Sequence, residues 1–169
     1  KLIEENQLHT RDFISISAVG IYGNRKNPVT EEDAPAQEDD FLSRLCKNWE
    51  SAFMENALPG ITTSLLRLGV VISHKGGFIK PFLFPIRTMA APYFGTGTNY
   101  ISWIHESDLA QAVWSVIEEP AEKRKNIYNL TAPAPVTSAE FSRSMKKVFN
   151  PWAIRFPVPG WTLNLVFGE

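Results

Sequence analysis

The 169 residues include one cysteine, Cys46, so no disulfide can form within the chain, and a reducing, cytoplasmic setting is expected. No apolar run is long enough to span a bilayer and no secretory pattern opens the chain, which argues against a membrane role. Seventeen basic residues against eighteen acidic ones leave a formal net charge of -1, too little to mark a nucleic-acid or anionic-membrane partner. The two basic clusters, Lys123-Arg124-Lys125 and Lys146-Lys147, read as solvated helix ends. No set of His, Cys or carboxylate residues has metal-ligand spacing. The glycine-rich G-x-x-G-x-x-G turn that seats a dinucleotide pyrophosphate is missing as well; Gly76-Gly77 and Gly95-Thr96-Gly97 read as turn glycines. Repeats and low-complexity tracts are also absent.

What is present suits a globular domain: 44% of residues are hydrophobic and 21% charged, enough to bury a core. The chain opens inside KLIEENQL, which reads as the last turns of a helix, and closes on the apolar LNLVFGE, so a piece of a longer protein is expected. The stretch that organises the rest is FISISAVGIYG, Phe13 to Gly23. It is a β-rich run that ends in hydroxyls and small residues. In open parallel sheets the crevice beyond such strand ends is where ligands sit.

An acidic, proline-containing segment from Asn24 to Asp40 follows, with the composition of a surface loop. Asp39-Asp40 suit a helix N-terminus, and Phe41, Leu42, Leu45, Trp49 and Phe53 recur at helical spacing as an inward face ended by Pro59-Gly60. On that reading Trp49→Ala costs about 3 to 5 kcal/mol. Ile61 to Ser73 reads as one buried strand, and Phe78 to Met89 as a helix interrupted by Pro81 and Pro85. Asn99 to His105 is extended. A helix over Leu109 to Glu118 is capped by Ser107 or Asp108, and Ile127 to Leu130 is a strand. Thr137-Ser138-Ala139-Glu140 starts a last helix with Phe141, Met145 and Val148 inward. Strands alternating with helices predict an α/β fold with a parallel sheet.

Four segments in order resemble the later two thirds of an extended short-chain dehydrogenase, the NAD-dependent epimerase/dehydratase family. They are Ser15 to Gly23; Leu65 to Val71; Gly95-Thr96-Gly97 through Ile104-His105-Glu106-Ser107-Asp108-Leu109; and Tyr128-Asn129-Leu130. Within it, Ser17-Ala18-Val19-Gly20-Ile21-Tyr22-Gly23, Cys46-Lys47-Asn48-Trp49-Glu50, Ser102-Trp103-Ile104-His105 and Asn129-Leu130-Thr131-Ala132-Pro133 are similar to the nucleoside-diphosphate-sugar epimerase subfamily, some of whose members are called cell-division-inhibitor-like.

The resemblance implies part of a Rossmann-like doubly wound parallel sheet with a small substrate-side region. Residues 1–75 would be the second half of a dinucleotide-binding domain and residues 76–169 the substrate-side segments and remaining strands, in one compact unit. It implies NAD or NADP as cofactor in the full-length protein, and a small or sugar-like substrate. Ser15, Ser17, Ala18, Gly69 and Val70 would line the cofactor. Arg67, Trp103 and His105 would lie on the substrate side, and Ser17, with Ala18 as the one-residue alternative, and Tyr22 are the catalytic candidates.

The residues depart from the family pattern on three counts. The pyrophosphate turn lies outside the chain. The family's Tyr-x-x-x-Lys pair, which moves a proton as hydride leaves, aligns with Leu42 and Cys46, and Lys47 faces another way on the helix. The arginine that pairs with a substrate diphosphate aligns with Ile101. Bland readings stand beside each candidate: Ser17 satisfied by backbone, Tyr22 packed under the acidic loop, Arg67 in a buried ion pair with Glu50, His105 tied to the helix-capping Asp108, and Cys46 a buried thiol. The function is therefore an NAD(P)-dependent epimerase or oxidoreductase, or a dinucleotide-binding regulatory protein that lacks the tyrosine–lysine pair, as a monomer or a homodimer.

Overall fold

The computed structural model describes residues 12–23, 25, 27–36, 41–57 and 60–159. The readings made above for residues 1–8, Asp39-Asp40, Pro59 and the tail from residue 160 lie outside the described residues. In chain order the elements are β1 (Asp12–Ala18), a 3-10 turn (Val19–Tyr22), α1 (Phe41–Glu55), β2 (Thr62–Leu68), β3 (Val70–Ser73), β4 (Gly76–Gly77) and α2 (Lys80–Arg87). There follow β5 (Ala90–Phe94), β6 (Tyr100–Ile101), β7 (Trp103–His105), α3 (Glu106–Glu118), β8 (Ile127–Leu130), β9 (Val136–Thr137), α4 (Ser138–Phe149) and β10 (Ile154–Val158). They form two compact units. One runs to Gly69 and resumes over Ser107–Thr131; the other takes Val70–Glu106 and the residues from Ala132 onward.

The first unit carries the expected parallel sheet, in the order β1-β2-β8. Its middle strand, TTSLLRL, is covered on both faces, and Ser64, Leu65, Leu66 and Arg67 are all buried. Parallel neighbours need a crossover, and α1 supplies the one between β1 and β2. The register sets Ser17, Arg67 and Asn129 in one row, a residue short of the end of each strand.

The α1 helix is rotated from the expected setting. Ser43, Cys46, Glu50 and Phe53 face inward, whereas Phe41, Leu42, Leu45 and Trp49 are exposed, Trp49 by 58%. The cause is electrostatic. Arg67 in the buried strand requires a carboxylate, Glu50 is the one it takes, and this pairing fixes which side of the helix meets the sheet. An apolar side chain left at the surface costs far less than a guanidinium buried alone.

Arg124 also departs from its reading as part of a solvated helix end: its side chain is 3% exposed. Its Nη2 donates to the carbonyls of Ile117 and Glu119 at 2.9 and 2.8 Å, closing the end of α3, and its Nη1 pairs with Asp12.

The second unit is built from small sheets, β4-β3-β7, β6-β9 and β10-β5, around a core of Phe82, Ile86, Ala91, Ile101, Phe141, Met145 and Ala153. Phe78, Phe82, Phe94 and Phe141 meet as tilted or edge-on rings. The last helix begins in the expected capping box: Glu140 N–H donates to Thr137 Oγ1 at 3.2 Å and Thr137 N–H to Glu140 Oε2 at 2.8 Å. Phe141 and Met145 face inward, but Val148 is 74% exposed because the core ends a turn earlier.

Two further expectations are corrected. Ile61 to Ser73 is not one strand: Gly69 N–H donates to Leu130 O in the first unit, and Val70 N–H donates to Ser102 O in the second. The same β-rich run thus serves two sheets. The helix read over Phe78 to Met89 is confined to Lys80–Arg87, with Pro81 in its first turn and Pro85 inside it.

Candidate functional site

The carboxyl end of β1 is positioned by α1 in a repeating register. The Phe13 and Phe53 ring centroids lie 5.2 Å apart, Trp49 Nε1 donates to Ser15 Oγ at 3.3 Å, and a Cβ placed on Gly20 would come within 2.7 Å of Leu42 Cδ2. Two residues of strand rise about 6.6 Å and four of helix about 6.0 Å, so the elements run antiparallel in step. The α1 turn opposite Ser17 therefore carries Leu45 and Cys46, and the next one carries Leu42. The acid that α1 brings to this strand end is Glu50, and it is taken up by Arg67.

Ser17 Oγ is buried and has no hydrogen-bond partner among the described residues. Leaving such a hydroxyl unsatisfied costs about 1 to 3 kcal/mol. The orphaned donor fits a bound group that supplies an oxygen, as a nicotinamide ribose would.

Beside it in the row, the Arg67 guanidinium and the Asn129 side-chain oxygen are engaged. Arg67 Nε and Nη2 donate to Glu50 Oε1 and Oε2 at 3.0 and 2.7 Å, the ion pair expected from the sequence. Burial is the largest single influence and works against the Arg67 charge, but the hydrogen bonds and charges of Glu50 and Tyr22 together outweigh it and raise its pKa. Arg67 Nη1 donates to Tyr22 Oη at 2.7 Å, and that hydroxyl donates to Asn129 Oδ1 at 3.0 Å. Tyr22 is 2% exposed and packs with Ile21 and Cys46, so its phenol is held in the interior.

The acidic segment is tied down across this end. Asn129 N–H donates to Glu31 Oε1 at 2.8 Å, which holds the Glu31 carboxyl below its ordinary pKa. Arg25 Nε donates to Tyr22 O and its Nη2 to Ala34 O, at 3.2 and 2.7 Å, and Ala36 N–H donates to Ile21 O at 2.9 Å. Thr30 N–H donates to Asp33 Oδ2 at 2.6 Å and keeps Asp33 ionised further into acid. Glu31 and Asn129 were not singled out from the sequence. Asn129 stood within the Tyr-Asn-Leu and Asn-Leu-Thr-Ala-Pro motifs with no role of its own, and the loop's acidity gave no sign of which carboxylate turns inward.

The remaining candidates fall as follows. In the first unit, Ala18 ends β1 half-buried and Gly69 is buried. In the second, Val70 pairs with Trp103 across β3 and β7, and Ile72 with His105. Trp103 Nε1 donates to Ala134 O at 3.1 Å. Next to His105, Glu106 accepts from Ser73 Oγ at 2.5 Å, which lowers its pKa, and pairs with His74 at 3.2 Å. Ile101 lies in the core. Among the described residues, no group of three or more His, Cys, Asp or Glu side chains could hold a metal, and no helix is long and apolar enough to cross a membrane.

Known proteins resemble the chain over most or all of its length. The chain is 32% identical over its whole length to epimerase family protein YfhF of Bacillus subtilis (strain 168), covering 54% of that protein. It is 36% identical over 93% of its length to epimerase family protein Mb2239 of Mycobacterium bovis, covering 51% of it. The crystal structure of human epimerase family protein SDR39U1 (isoform2) with NADPH superposes with a TM-score of 0.78 at 28% identity, over 94% of this chain and 52% of that one. The chain thus spans about half the length of the curated relatives it matches. Residues 2–131 match the model of the NAD dependent epimerase/dehydratase family, and the chain belongs to that family.

Proposed function

We propose that the protein containing this chain binds NAD or NADP and acts as an epimerase-like oxidoreductase on a small substrate, with this chain supplying the second half of the dinucleotide crevice. The observation that carries the reading is the buried, unpartnered Ser17 hydroxyl at the carboxyl end of a parallel strand. It is supported by the family membership and by the human relative, whose crystal structure is one with NADPH. The bound dinucleotide supplies a hydride donor or acceptor. Ser17 would hydrogen-bond the nicotinamide ribose or the substrate oxygen, with Ala18 beside it at the strand end and Gly69 and Val70 on the backbone that follows β2. Arg67 and Tyr22 hold α1 and the sheet end in place, and Trp103 and His105 belong to the substrate side.

A second reading, a dinucleotide-binding regulatory protein, is favoured by Leu42 and Cys46, which stand on α1 where the family places its proton-transfer pair. Without that pair α1 offers no phenol and ammonium at those two positions to move a proton with the hydride. The lone buried Cys46 supports a cytoplasmic location. The deciding experiment titrates full-length protein with NADPH and NADH by nicotinamide fluorescence, then assays carbonyl and sugar-nucleotide turnover. Binding with turnover supports the enzyme, binding without it supports the regulator, and no binding removes both.

A further inference from the structure

The near-zero net charge that speaks against an anionic partner conceals an unequal division. The first unit holds ten Lys and Arg against fifteen Asp and Glu, the second seven against three. Such an asymmetry favours a negatively charged partner for the second unit. Of its three acids, Glu169 lies outside the described residues, Glu106 is engaged by Ser73 and His74, and Glu140 closes the capping box at the start of α4. Cations gather at the opposite end, with Lys146 and Lys147 in the last turn of α4 and Arg87 in the last turn of α2.

Asn150 clamps the junction where these two helix ends meet β10. Its Nδ2 donates to Ile86 O at 3.1 Å, its Oδ1 accepts from Trp152 N–H at 3.1 Å, and Ile154 N–H donates to Met89 O at 2.7 Å. The turn that leaves α4 is thereby held in shape and presents Trp152 81% exposed and Ile154 70% exposed, with Met89 and Phe149 also exposed. We propose that this junction docks the second unit on the surface of an anionic lipid bilayer. A seat for another part of the protein would hold few lysines, because a covered ammonium needs a carboxylate. Here Arg87 and Lys147 stand exposed, and Lys146 half-buried, within a few residues of the apolar side chains. Nucleic acid would engage the cations but leave Ile154 and Met89 in water. The boundary of a bilayer takes both: indole and aliphatic groups enter the acyl edge while lysine and arginine stems reach back to phosphate. Each basic group near an anionic surface strengthens the attachment about fivefold. Contact of this kind lies in the surface of the bilayer and needs no spanning helix.

The test sediments full-length protein with vesicles of phosphatidylcholine alone and of phosphatidylcholine mixed with phosphatidylserine. The mixed vesicles should bind it more tightly by about tenfold or more, and Trp152→Ser and Lys147→Glu should each weaken that binding by about fivefold to tenfold with the thermal melt unchanged. Binding to neither vesicle, equal binding to both, or an affinity indifferent to both variants would overturn the proposal. A single-stranded oligonucleotide that displaces the vesicles and binds equally well after Trp152→Ser would overturn it in favour of nucleic acid. A dimer of the free protein that Trp152→Ser dissociates would overturn it in favour of a second copy.

Discussion

Trp49 hangs its indole along the edge of β1 and donates Nε1–H to Ser15 Oγ at 3.3 Å, while more than half of the residue stays in solvent. Trp49→Ala should therefore change the unfolding free energy by no more than about 1 kcal/mol. Phe53→Ala, which empties a buried position against Phe13, should cost about 3 to 5 kcal/mol. Denaturant titration of both variants measures the contrast, and equal losses would return Trp49 to the core.

Ser17→Ala removes a buried hydroxyl that has no partner in the unliganded chain. Stability without ligand should hold or rise by up to about 1 kcal/mol, while NADPH affinity falls. A loss of stability without ligand would show that the hydroxyl serves the fold.

Breaking the buried pair with Arg67→Met or Glu50→Gln should cost about 3 to 5 kcal/mol, because either change strands its partner in the interior. The double variant should cost much less than the sum of the two. A double-mutant cycle with no coupling would refute the shared role.

Glu31 has a lowered pKa in the folded chain, so its contribution to stability is present above its ordinary value of 4.5 and is lost as pH falls through the lower folded value. Glu31→Gln should flatten that part of the acid limb and speed hydrogen exchange at the Asn129 amide. Unchanged exchange at Asn129 would mean that the strap is not latched there.

Gly97 has φ of 81°, and a Cβ on it would lie 2.9 Å from Ala139 Cβ and 3.0 Å from the Tyr93 ring. Gly97→Ala should cost about 1 to 3 kcal/mol, whereas Gly20→Ala meets the exposed Leu42 side chain, which can turn away, and should cost less. Thermal melts of the two variants compare the sites.

Strand identity and parallel pairing were legible because FISIS, TTSLLRL and IYNL carry short β-rich runs separated by helical periodicity. The Thr137 capping box was legible for the same reason, since its whole signal lies within four residues. The rotation of α1 was not. Its apolar positions point one way, and only the reach of Arg67 across seventeen residues turns Glu50 inward. Gly69 hid a change of sheet inside one hydrophobic run, because a run of leucine and valine names a strand without naming its neighbours. At the site, Ser17 and the Arg67 pair could be read from position and charge, while Glu31 on Asn129 depends on a loop geometry that composition does not encode.

The anchoring of α1 through Glu50 has a consequence for how this lineage could change. The helix keeps its seat by a bond one and two turns away from positions 46 and 42. Position 42, half exposed, can therefore be exchanged without unseating the helix, whereas position 46, packed against Ile21 and Tyr22, can change only as far as that buried cluster repacks.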